Sequence, residues 1–462
     1  MKRLKVFIIN VIILTIVSLI VRSCGMLFDI YIANIIGSEG VGMFSLVMSV
    51  YVLFITLATS GINLATTRLV SEELAINDTT SAKLAIKKCI KLSLLFSVIV
   101  SFLLIVFAPI IIKLFLHNRI SNNILYILAI SLPFTSISIS LSGYFTAVRR
   151  AYKASSSDVV NLVTKIITIL ALIPKFDLKN INDVVLLLIL GTTISEIISF
   201  IYIYLLYACD KRRLKDFRTS KSNMPKRILK ISIPVAITSY IRSGLSTLKQ
   251  LLIPLNLEKS GLSCSYALSE YGMINGMSFS VLLFPGLIIN SVASLLIPEF
   301  ARYNVKQDYT KMNIVINKLF TLVICFSLFV LGFFLMFSKE ISLIAYNNLK
   351  IGNYILILSP LVILMYLDHI IDAILRGIDK QVKVMYCNIA DLFISVILIC
   401  LLIPKYGIIG YLLIIYTSEI LNTSISIYQL YKATHFKFDI FKGFIIPAML
   451  LAIFIIIASL IL

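Results

Sequence analysis

Long apolar segments separated by short polar loops dominate the chain. A helix crosses the hydrocarbon core with about 20 apolar residues, and in lipid only helices or closed barrels satisfy every backbone polar group. These segments are too long and too continuously apolar to be barrel strands. The pattern therefore predicts an all-α polytopic membrane protein with about 13 transmembrane helices. They span residues 6–36, 41–70, 90–116, 122–148, 157–174, 183–208, 228–256, 265–299, 312–337, 351–375, 382–403, 408–431 and 441–461.

Composition excludes a soluble fold. Of the 462 residues, 59% are hydrophobic and only 14% are charged, whereas soluble domains carry about 25% charged residues. The net charge of +20 would indicate nucleic acid in a soluble protein, but no nucleic-acid-binding motif accompanies it here. The seven cysteines and three histidines are scattered without ligand spacing, so we expect no metal and no cofactor.

The basic residues predict the orientation in the membrane. With a cytoplasmic N-terminus, the cytoplasmic segments hold 29 of the 42 Lys and Arg residues and the external loops hold 8. This bias follows the positive-inside rule. The N-terminal apolar run continues without a small-residue cleavage site, so we expect an uncleaved first span.

Two halves of the sequence repeat the same pattern. Arg22-Ser23 recurs as Arg242-Ser243, an offset of 220, and Pro133 recurs as Pro360, an offset of 227. Six spans separate the copies, and because six is even, both copies have the same orientation. This is a parallel repeat about an axis along the membrane normal.

The repeat predicts four parts of the chain. An N-lobe with spans 1–6 covers residues 1–208, and a basic cytoplasmic linker follows at 209–227. A C-lobe with spans 7–12 covers residues 228–432. An additional C-terminal span occupies residues 433–462.

Four charged residues within spans 1 and 7 are the main candidates for a binding site. Asp29 follows Arg22 by seven residues, and Lys249 follows Arg242 by seven, so each pair shares a helix face. A charge at the centre of a bilayer costs about 2.5–3.5 kcal/mol on insertion scales and marks a functional residue by default. We expect these residues to line a cleft between the lobes. The alternative is a structural ion pair, such as Arg22 with Asp29.

A second group of ionisable residues lies in spans 10 and 11. Asp368, His369 and Asp372 are close together in the sequence MYLDHIIDAILRG, and Asp391 follows in the next span. These residues are candidates for binding a coupling cation (H⁺ or Na⁺), for relaying protons, or for balancing the charge of the basic residues in span 7. Charge balance is the favoured interpretation.

Two stretches resemble a known family. They are IANIIGSEGVGMFSLVMSVYVLFITLATSGINLATTRLVSEE at 32–73 and YGMINGMSFSVLLFPGLIINSVASLLIPEFA at 271–301. Both are similar to stage V sporulation protein B-like flippases, in the polysaccharide-transporter branch of the multidrug/oligosaccharidyl-lipid/polysaccharide (MOP) superfamily, which is related to lipid II flippases. The resemblance implies two six-helix lobes that open alternately to either side, as in MATE-like transporters. It also implies that Arg22 and Arg242 match cleft arginines that bind a pyrophosphate.

The resulting hypothesis is a flippase for a polyprenyl-pyrophosphate-linked oligosaccharide, such as a cell-wall, spore-envelope or polysaccharide precursor. Its location would be the bacterial cytoplasmic membrane, and its partners a lipid-linked sugar, membrane lipids and polysaccharide-assembly enzymes, with no nucleic acid. Two alternatives remain open. One is a cation-coupled multidrug antiporter of the MATE type, and the other is a non-transporting scaffold for sugar-assembly enzymes. None of the three is an enzyme, since no catalytic motif is present.

Overall fold

The computed structural model describes residues 2–76, 78–116, 119–211, 224–436, 438, 441–449 and 451–452. Within this part of the chain, all regular structure is helical. Its fourteen α-helices are α1 (Lys2–Thr59), α2 (Ile62–Ala75), α3 (Thr79–Phe115), α4 (Asn122–Ala147), α5 (Ala151–Leu172), α6 (Ile181–Lys211), α7 (Met224–Lys259), α8 (Cys264–Tyr271), α9 (Phe279–Leu283), α10 (Gly286–Lys306), α11 (Tyr309–Tyr346), α12 (Leu349–Leu358), α13 (Leu361–Gly377) and α14 (Gln381–Thr434). A 3₁₀ turn covers Ile173–Lys175, and two π-helices cover Gly272–Ser278 and Phe441–Ile445.

Two of these helices are each divided by one glycine. In α1, Gly37 has φ 72° and ψ 172°, and in α14, Gly407 has φ 56° and ψ −129°. Positive φ is accessible to glycine without the steric penalty that a Cβ brings. The turns predicted between spans 1 and 2 and between spans 11 and 12 therefore appear as kinks at single residues.

The predicted all-α membrane fold is confirmed. Seven helices of the described residues are long and apolar enough to cross a membrane, or nine if each of two bent helix pairs counts as one span. Two of the seven contain the glycine kinks, so each corresponds to two predicted spans. The count of thirteen stays a prediction, because most of the last span lies outside the described residues.

The helix that carries Arg242 differs from these spans. α7 is continuous over 36 residues, but it is not among the helices of the described chain that are long and apolar enough to cross a membrane. A membrane helix with such a composition is expected to face protein or water rather than hydrocarbon.

Prolines break two of the predicted spans. Span 8 bends between α9 and α10 at Pro285, and span 10 bends by 56° between α12 and α13 at Pro360. Proline lacks the amide hydrogen and its ring clashes with the preceding turn. Pro133, the repeat counterpart of Pro360, lies inside the uninterrupted helix α4.

The described chain divides into two compact units. Unit 1 comprises residues 1–28 and 43–251, and unit 2 comprises residues 29–42 and 252–462. The division differs from the order of the sequence in two segments, since residues 29–42 belong to unit 2 and residues 224–251 belong to unit 1. The four-part division predicted from the repeat stays a prediction.

In unit 1, the central packing involves helices α3, α4, α5 and α6. Its largest buried side chains include Tyr51, Tyr144 and Phe145, and a continuous apolar cluster joins α2, α3, α4, α6 and the start of α7. The first part of α7 packs closely against Gly61. A Cβ added to this glycine would lie 2.4 Å from the Ser232 carbonyl oxygen.

In unit 2, α13 packs against α10, α11 and α14. The segment 29–42 belongs to this unit through contacts with α8 and with the end of α11. Ser38 Oγ lies 2.6 Å from Ser269 Oγ, and the Asn34 amide donates to the Ala345 carbonyl at 2.5 Å. At the break in span 8, the Tyr366 hydroxyl donates to the Leu282 carbonyl at 2.9 Å.

Candidate functional site

One face of α7 is fixed by hydrogen bonds within unit 1. Tyr240 Oη donates to the Leu57 carbonyl at 3.0 Å, and Thr247 Oγ1 donates to the Ser49 carbonyl at 3.0 Å. Between them, Ser243 Oγ contacts the hydroxyl of Thr56 at 3.3 Å. These three positions are spaced three and four residues apart, so they form one stripe along the helix.

The basic residues of α7 lie on the opposite side from this stripe. Arg242 and Lys249 are seven residues apart and share a face. At 100° per residue, that face is turned about 140° away from the hydrogen-bonded stripe. The Arg242 side chain is exposed and Lys249 is half-buried. The hydrogen bonds of Tyr240 and Thr247 therefore set the direction in which the cations point.

Arg22 and Arg242 have no carboxylate partner among the described residues. Arg22 is exposed on α1, and it belongs to unit 1 together with Arg242 and Lys249, although these residues come from different halves of the sequence. Asp29 belongs to unit 2. The prediction that these four residues line one cleft stays a prediction.

Other arginines are paired with carboxylates. Arg68 binds Glu72 at 2.8 Å, Arg227 binds Glu72 at 3.0 Å and Glu73 at 2.5 Å, and Arg302 binds Glu299 at 3.6 Å. Glu72 and Glu299 thus each form a local ion pair, with Arg68 and Arg302 respectively. By contrast, no such pair occupies Arg22 or Arg242 in the described chain.

A polar cavity of about 150 Å³ lies between α4, α5 and α6 in unit 1. Nine residues line it: Thr135, Ser138, Ile139, Ser142, Ser157, Asp158, Asn161, Glu196 and Ser199. Glu196 Oε2 accepts hydrogen bonds from Tyr51 at 2.5 Å and from Thr135 at 3.0 Å. These bonds tie α6 to α1 and α4. The cavity was not predicted from the sequence.

The second group of ionisable residues lies on α13 and α14 in unit 2. Asp368 Oδ2 accepts a hydrogen bond from Asn422 Nδ2 at 3.0 Å, and Asp391 accepts one from Ser418 at 2.7 Å. Asp372 instead pairs with Arg376, four residues later, at 3.2 Å. Asp372 and Asp391 both act on Asp368 as like charges.

His369 is half-buried beside them. No group of three or more His, Cys, Asp or Glu residues that could hold a metal ion was found in the part of the chain that the structure describes. The roles of cation coupling, proton relay and charge balance all stay predictions.

An ion pair between a buried glutamate and a half-exposed lysine, which the sequence did not indicate, lies in unit 2. Glu270 is fully buried on α8, and it binds Lys350 Nζ and the Tyr354 hydroxyl on α12. Lys350 also donates to Tyr266 Oη at 2.6 Å, and its ammonium lies 4.7 Å from the centroid of that ring. Because Glu270 and Lys350 are 80 residues apart, spacing along the chain carries no signal for this pair.

The fold defines the class of protein. The chain has the same fold as two solved structures, one of which is a transporter of the MOP superfamily. A lipid II flippase MurJ in an inward closed conformation superposes with a TM-score of 0.73 at 16% identity, covering 97% of this chain and 92% of that one. A multidrug-resistance MATE transporter in an inward-facing conformation gives a TM-score of 0.69 at 15% identity, covering 93% and 94%. The molecule is thus a multi-pass membrane protein with a MOP-type fold.

The chain belongs to the polysaccharide biosynthesis protein family, whose pattern matches residues 7–304. Among curated proteins, stage V sporulation protein B of Bacillus subtilis (strain 168) is 22% identical over 426 residues, which is 91% of this chain and 82% of that protein. The family resemblance inferred from residues 32–73 and 271–301 is confirmed.

Proposed function

We propose that this protein moves a lipid-linked oligosaccharide across the bacterial cytoplasmic membrane, with basic residues of unit 1 binding the diphosphate of the substrate. The observation that carries the proposal is that Arg22 and Arg242 are exposed on predicted spans without a carboxylate partner among the described residues. Family membership and the MOP-type fold support the same conclusion.

The chemistry of arginine fits a diphosphate. A guanidinium presents two parallel N–H donors that match two phosphate oxygens, and such charge-assisted pairs are stronger than neutral hydrogen bonds. A diphosphate cannot enter hydrocarbon without compensation for its lost hydration. Cations positioned within membrane helices supply that compensation while the lipid chain stays in the bilayer.

The orientation of α7 supports a role for Lys249 beside Arg242. Both residues lie on the face that is turned away from the hydrogen bonds to Ser49 and Leu57. Lys249 carries a compact ammonium charge rather than the paired N–H donors of a guanidinium. It therefore attracts the diphosphate without fixing the orientation in which the diphosphate binds. We assign it an assisting role.

The test is binding and transport by purified protein. Binding of undecaprenyl diphosphate to protein in lipid nanodiscs is compared with binding of undecaprenol, which lacks phosphate. Transport is followed in proteoliposomes with a fluorescent undecaprenyl-diphosphate-linked sugar and a quencher that does not cross the membrane. We expect Arg22→Ala and Arg242→Ala each to weaken diphosphate binding by about 10- to 100-fold, which corresponds to roughly 1.5–3 kcal/mol.

Two comparisons sharpen the result. Arg68→Ala removes an exposed arginine that is paired with Glu72 in the same unit, so it should leave binding unchanged. Arg242→Lys keeps the positive charge but loses the paired N–H donors of the guanidinium, so we expect it to retain part of the affinity for the diphosphate. Alanine variants that fold and still bind the diphosphate like the unmodified protein would refute the site.

The alternatives predict other outcomes. A multidrug antiporter would transport an organic cation such as ethidium, and removing an arginine would leave that activity equal or higher because a repulsive charge is lost. A scaffold would transport neither probe. Either pattern, obtained with well-folded protein, would replace the flippase assignment.

A further inference from the structure

The polar cavity between α4, α5 and α6 contains side-chain groups that have no bonding partner in the described chain. Asp158 is the exposed member of its lining, and its carboxylate makes no hydrogen bond or ion pair with the described residues. The Ser142 hydroxyl is also without a partner among them. The Asn161 amide oxygen lies 3.2 Å from Ser195 Oγ, which leaves the NH₂ group of Asn161 free to donate. A carboxylate within a predicted membrane span is costly unless something compensates for it, so these groups indicate a ligand.

The remaining polar groups of the lining are held by the protein itself. Glu196 accepts hydrogen bonds from three neighbouring hydroxyl groups, those of Tyr51, Ser131 and Thr135. The hydroxyls of Ser157 and Ser199 each donate to a backbone carbonyl, and both residues are buried. Because a hydroxyl oxygen that donates can still accept, the floor of the cavity presents fixed acceptors, while Asp158 lies at its open side.

The chemistry of the lining fits a neutral ligand that is rich in hydroxyl groups. Five of the nine lining residues carry a hydroxyl and none is basic, so the cavity is not suited to a phosphate. A sugar hydroxyl donates one hydrogen bond and also accepts. Asp158 offers acceptors, Asn161 offers donors and Ser142 offers either. A metal cation would use only the oxygen atoms and would leave the Asn161 NH₂ group unpaired.

The size of the cavity limits the ligand. Its volume of about 150 Å³ corresponds to roughly five water molecules at about 30 Å³ each, or to a single sugar ring. The further sugars of a longer glycan would have to extend outward past Asp158.

The cavity lies beside the part of α1 that carries Arg22. A Cβ added to Gly25 would lie 3.7 Å from Leu162 Cδ1 on α5, so α1 and α5 are neighbours at this level. Arg22 precedes Gly25 by three residues, and Asn161 directly precedes Leu162. In a diphosphate-linked sugar the diphosphate is bonded directly to the first sugar ring, so the two parts of such a ligand need neighbouring sites.

We propose that this cavity binds the first sugar ring of the lipid-linked substrate, with Asp158, Asn161 and Ser142 bonding to its hydroxyl groups. The inference rests on the proposed function, because it assigns a place to the sugar that follows the diphosphate. The arginines then recognise the diphosphate that all such lipids share. The cavity distinguishes a lipid that carries a sugar from one that does not.

The test compares two lipids that differ by one sugar. Binding to protein in lipid nanodiscs is measured for undecaprenyl diphosphate and for the same lipid carrying a single N-acetylglucosamine, and the ratio of the two affinities is the sugar preference. The unmodified protein should bind the sugar-bearing lipid at least about 10-fold more tightly. Asp158→Ala should lower the sugar preference by about 10-fold, because it removes charge-assisted hydrogen bonds, and Ser142→Ala by about 2- to 10-fold.

Three further variants separate this site from the diphosphate site and from folding. Ser156→Ala removes a hydroxyl that is bonded to Tyr202 and lies outside the lining, so the sugar preference should not change. Arg22→Ala should weaken both lipids by the same factor. Because Asp158 has no protein partner to lose, Asp158→Asn should unfold at the temperature of the unmodified protein while its sugar preference falls.

A thiol in the cavity locates the sugar independently. With the native cysteines replaced, Ser142→Cys is exposed to a small methanethiosulfonate reagent in the presence of each lipid. The sugar-bearing lipid should slow the reaction several-fold, and undecaprenyl diphosphate should not.

Four results would overturn the inference. Equal binding of the two lipids would remove the sugar site and leave the diphosphate site standing. A sugar preference that persists in Asp158→Ala and in Ser142→Ala would place the sugar elsewhere. Protection of Ser142→Cys by Na⁺ without lipid, lost on adding Asp158→Ala, would make the cavity a cation site. Binding of neither lipid would refute the proposed function, and this inference with it.

Discussion

The crossing of Gly42 and Gly272 in unit 2 allows a sharp test of the packing. A Cβ added to Gly272 would lie 2.0 Å from the Ser38 carbonyl oxygen and 2.8 Å from the Gly42 amide nitrogen. Ordinary van der Waals contact begins at 3.4 Å, so this Cβ falls about 1.4 Å short of the space it needs. Both obstacles are backbone atoms, which cannot rotate away as a side chain would.

We therefore expect Gly272→Ala to destabilise the protein by about 1–3 kcal/mol or more, the usual cost of overpacking a tight contact. The direction of this change in stability is informative, because alanine in a helix is otherwise more stable than glycine by roughly 0.5–1 kcal/mol. Gly244→Ala in α7 is the matched control. Nothing lies within 4 Å of a Cβ at that position, so this change should be neutral or slightly stabilising.

Unfolding of unit 2 can be followed through a single introduced thiol. All seven cysteines are free and can be replaced by serine or alanine, and Val362 of unit 2 is fully buried. In that background, a thiol-reactive dye added during denaturant titration should label Val362→Cys only after unfolding. The double variant Gly42→Ala/Gly272→Ala should lose less stability than the sum of the losses in the two single variants. The reason is that a helix crossing already widened by one methyl group can accommodate the second. Stability of Gly272→Ala at or above that of the starting protein would refute the close packing of residues 29–42 in unit 2.

Two further predictions concern charges. Lys350→Met should cost about 1–3 kcal/mol, because the fully buried Glu270 loses its cation but keeps the Tyr354 hydroxyl as a donor. Adding Glu270→Gln should recover part of the loss, and equal stability of the single and double variants would contradict this. The distribution of basic residues also predicts the orientation of the chain in the membrane. A single cysteine at position 259 should react with an impermeant thiol reagent added to intact cells, and one at position 83 should not. The reverse pattern would show that the orientation is opposite to the predicted one.

The helices were predictable because lipid imposes them. A long apolar run in a bilayer has almost no alternative to an α-helix, and the positions of the spans followed from this constraint alone. The kinks at Gly37 and Gly407 also coincide with polar or proline-containing boundaries in the sequence. Chain length and hydropathy therefore carried most of the secondary structure.

The breaks within spans were not predictable. Pro360 separates two helices, whereas its counterpart Pro133 remains inside α4. A proline removes one hydrogen bond in either case, and the surrounding helices decide whether the chain bends at that point or continues. In span 8, the Tyr366 hydroxyl satisfies the Leu282 carbonyl near the break, a contact that comes from 84 residues away.

The candidate site was predictable only in part. The cost of charge in a membrane identified Arg22, Arg242 and Asp368 as residues to explain. Their partners could not be identified, because helical period indicates the face on which a residue lies but not which helix packs there. Asn422, which bonds Asp368, and Tyr51, which bonds Glu196, both come from helices distant in sequence.

The exchange of segments between the two compact units has a consequence for how the protein is made. The ribosome releases residues 29–42 before nearly all of unit 2 exists, and it completes unit 1 only when residue 251 has been synthesised. The first six helices must therefore remain in the membrane with one incomplete unit and one segment whose partners, including Ser269 and Gly272, are still to come. A chain divided within residues 212–223 should accordingly yield two fragments that accumulate only when both are produced together in the same cell.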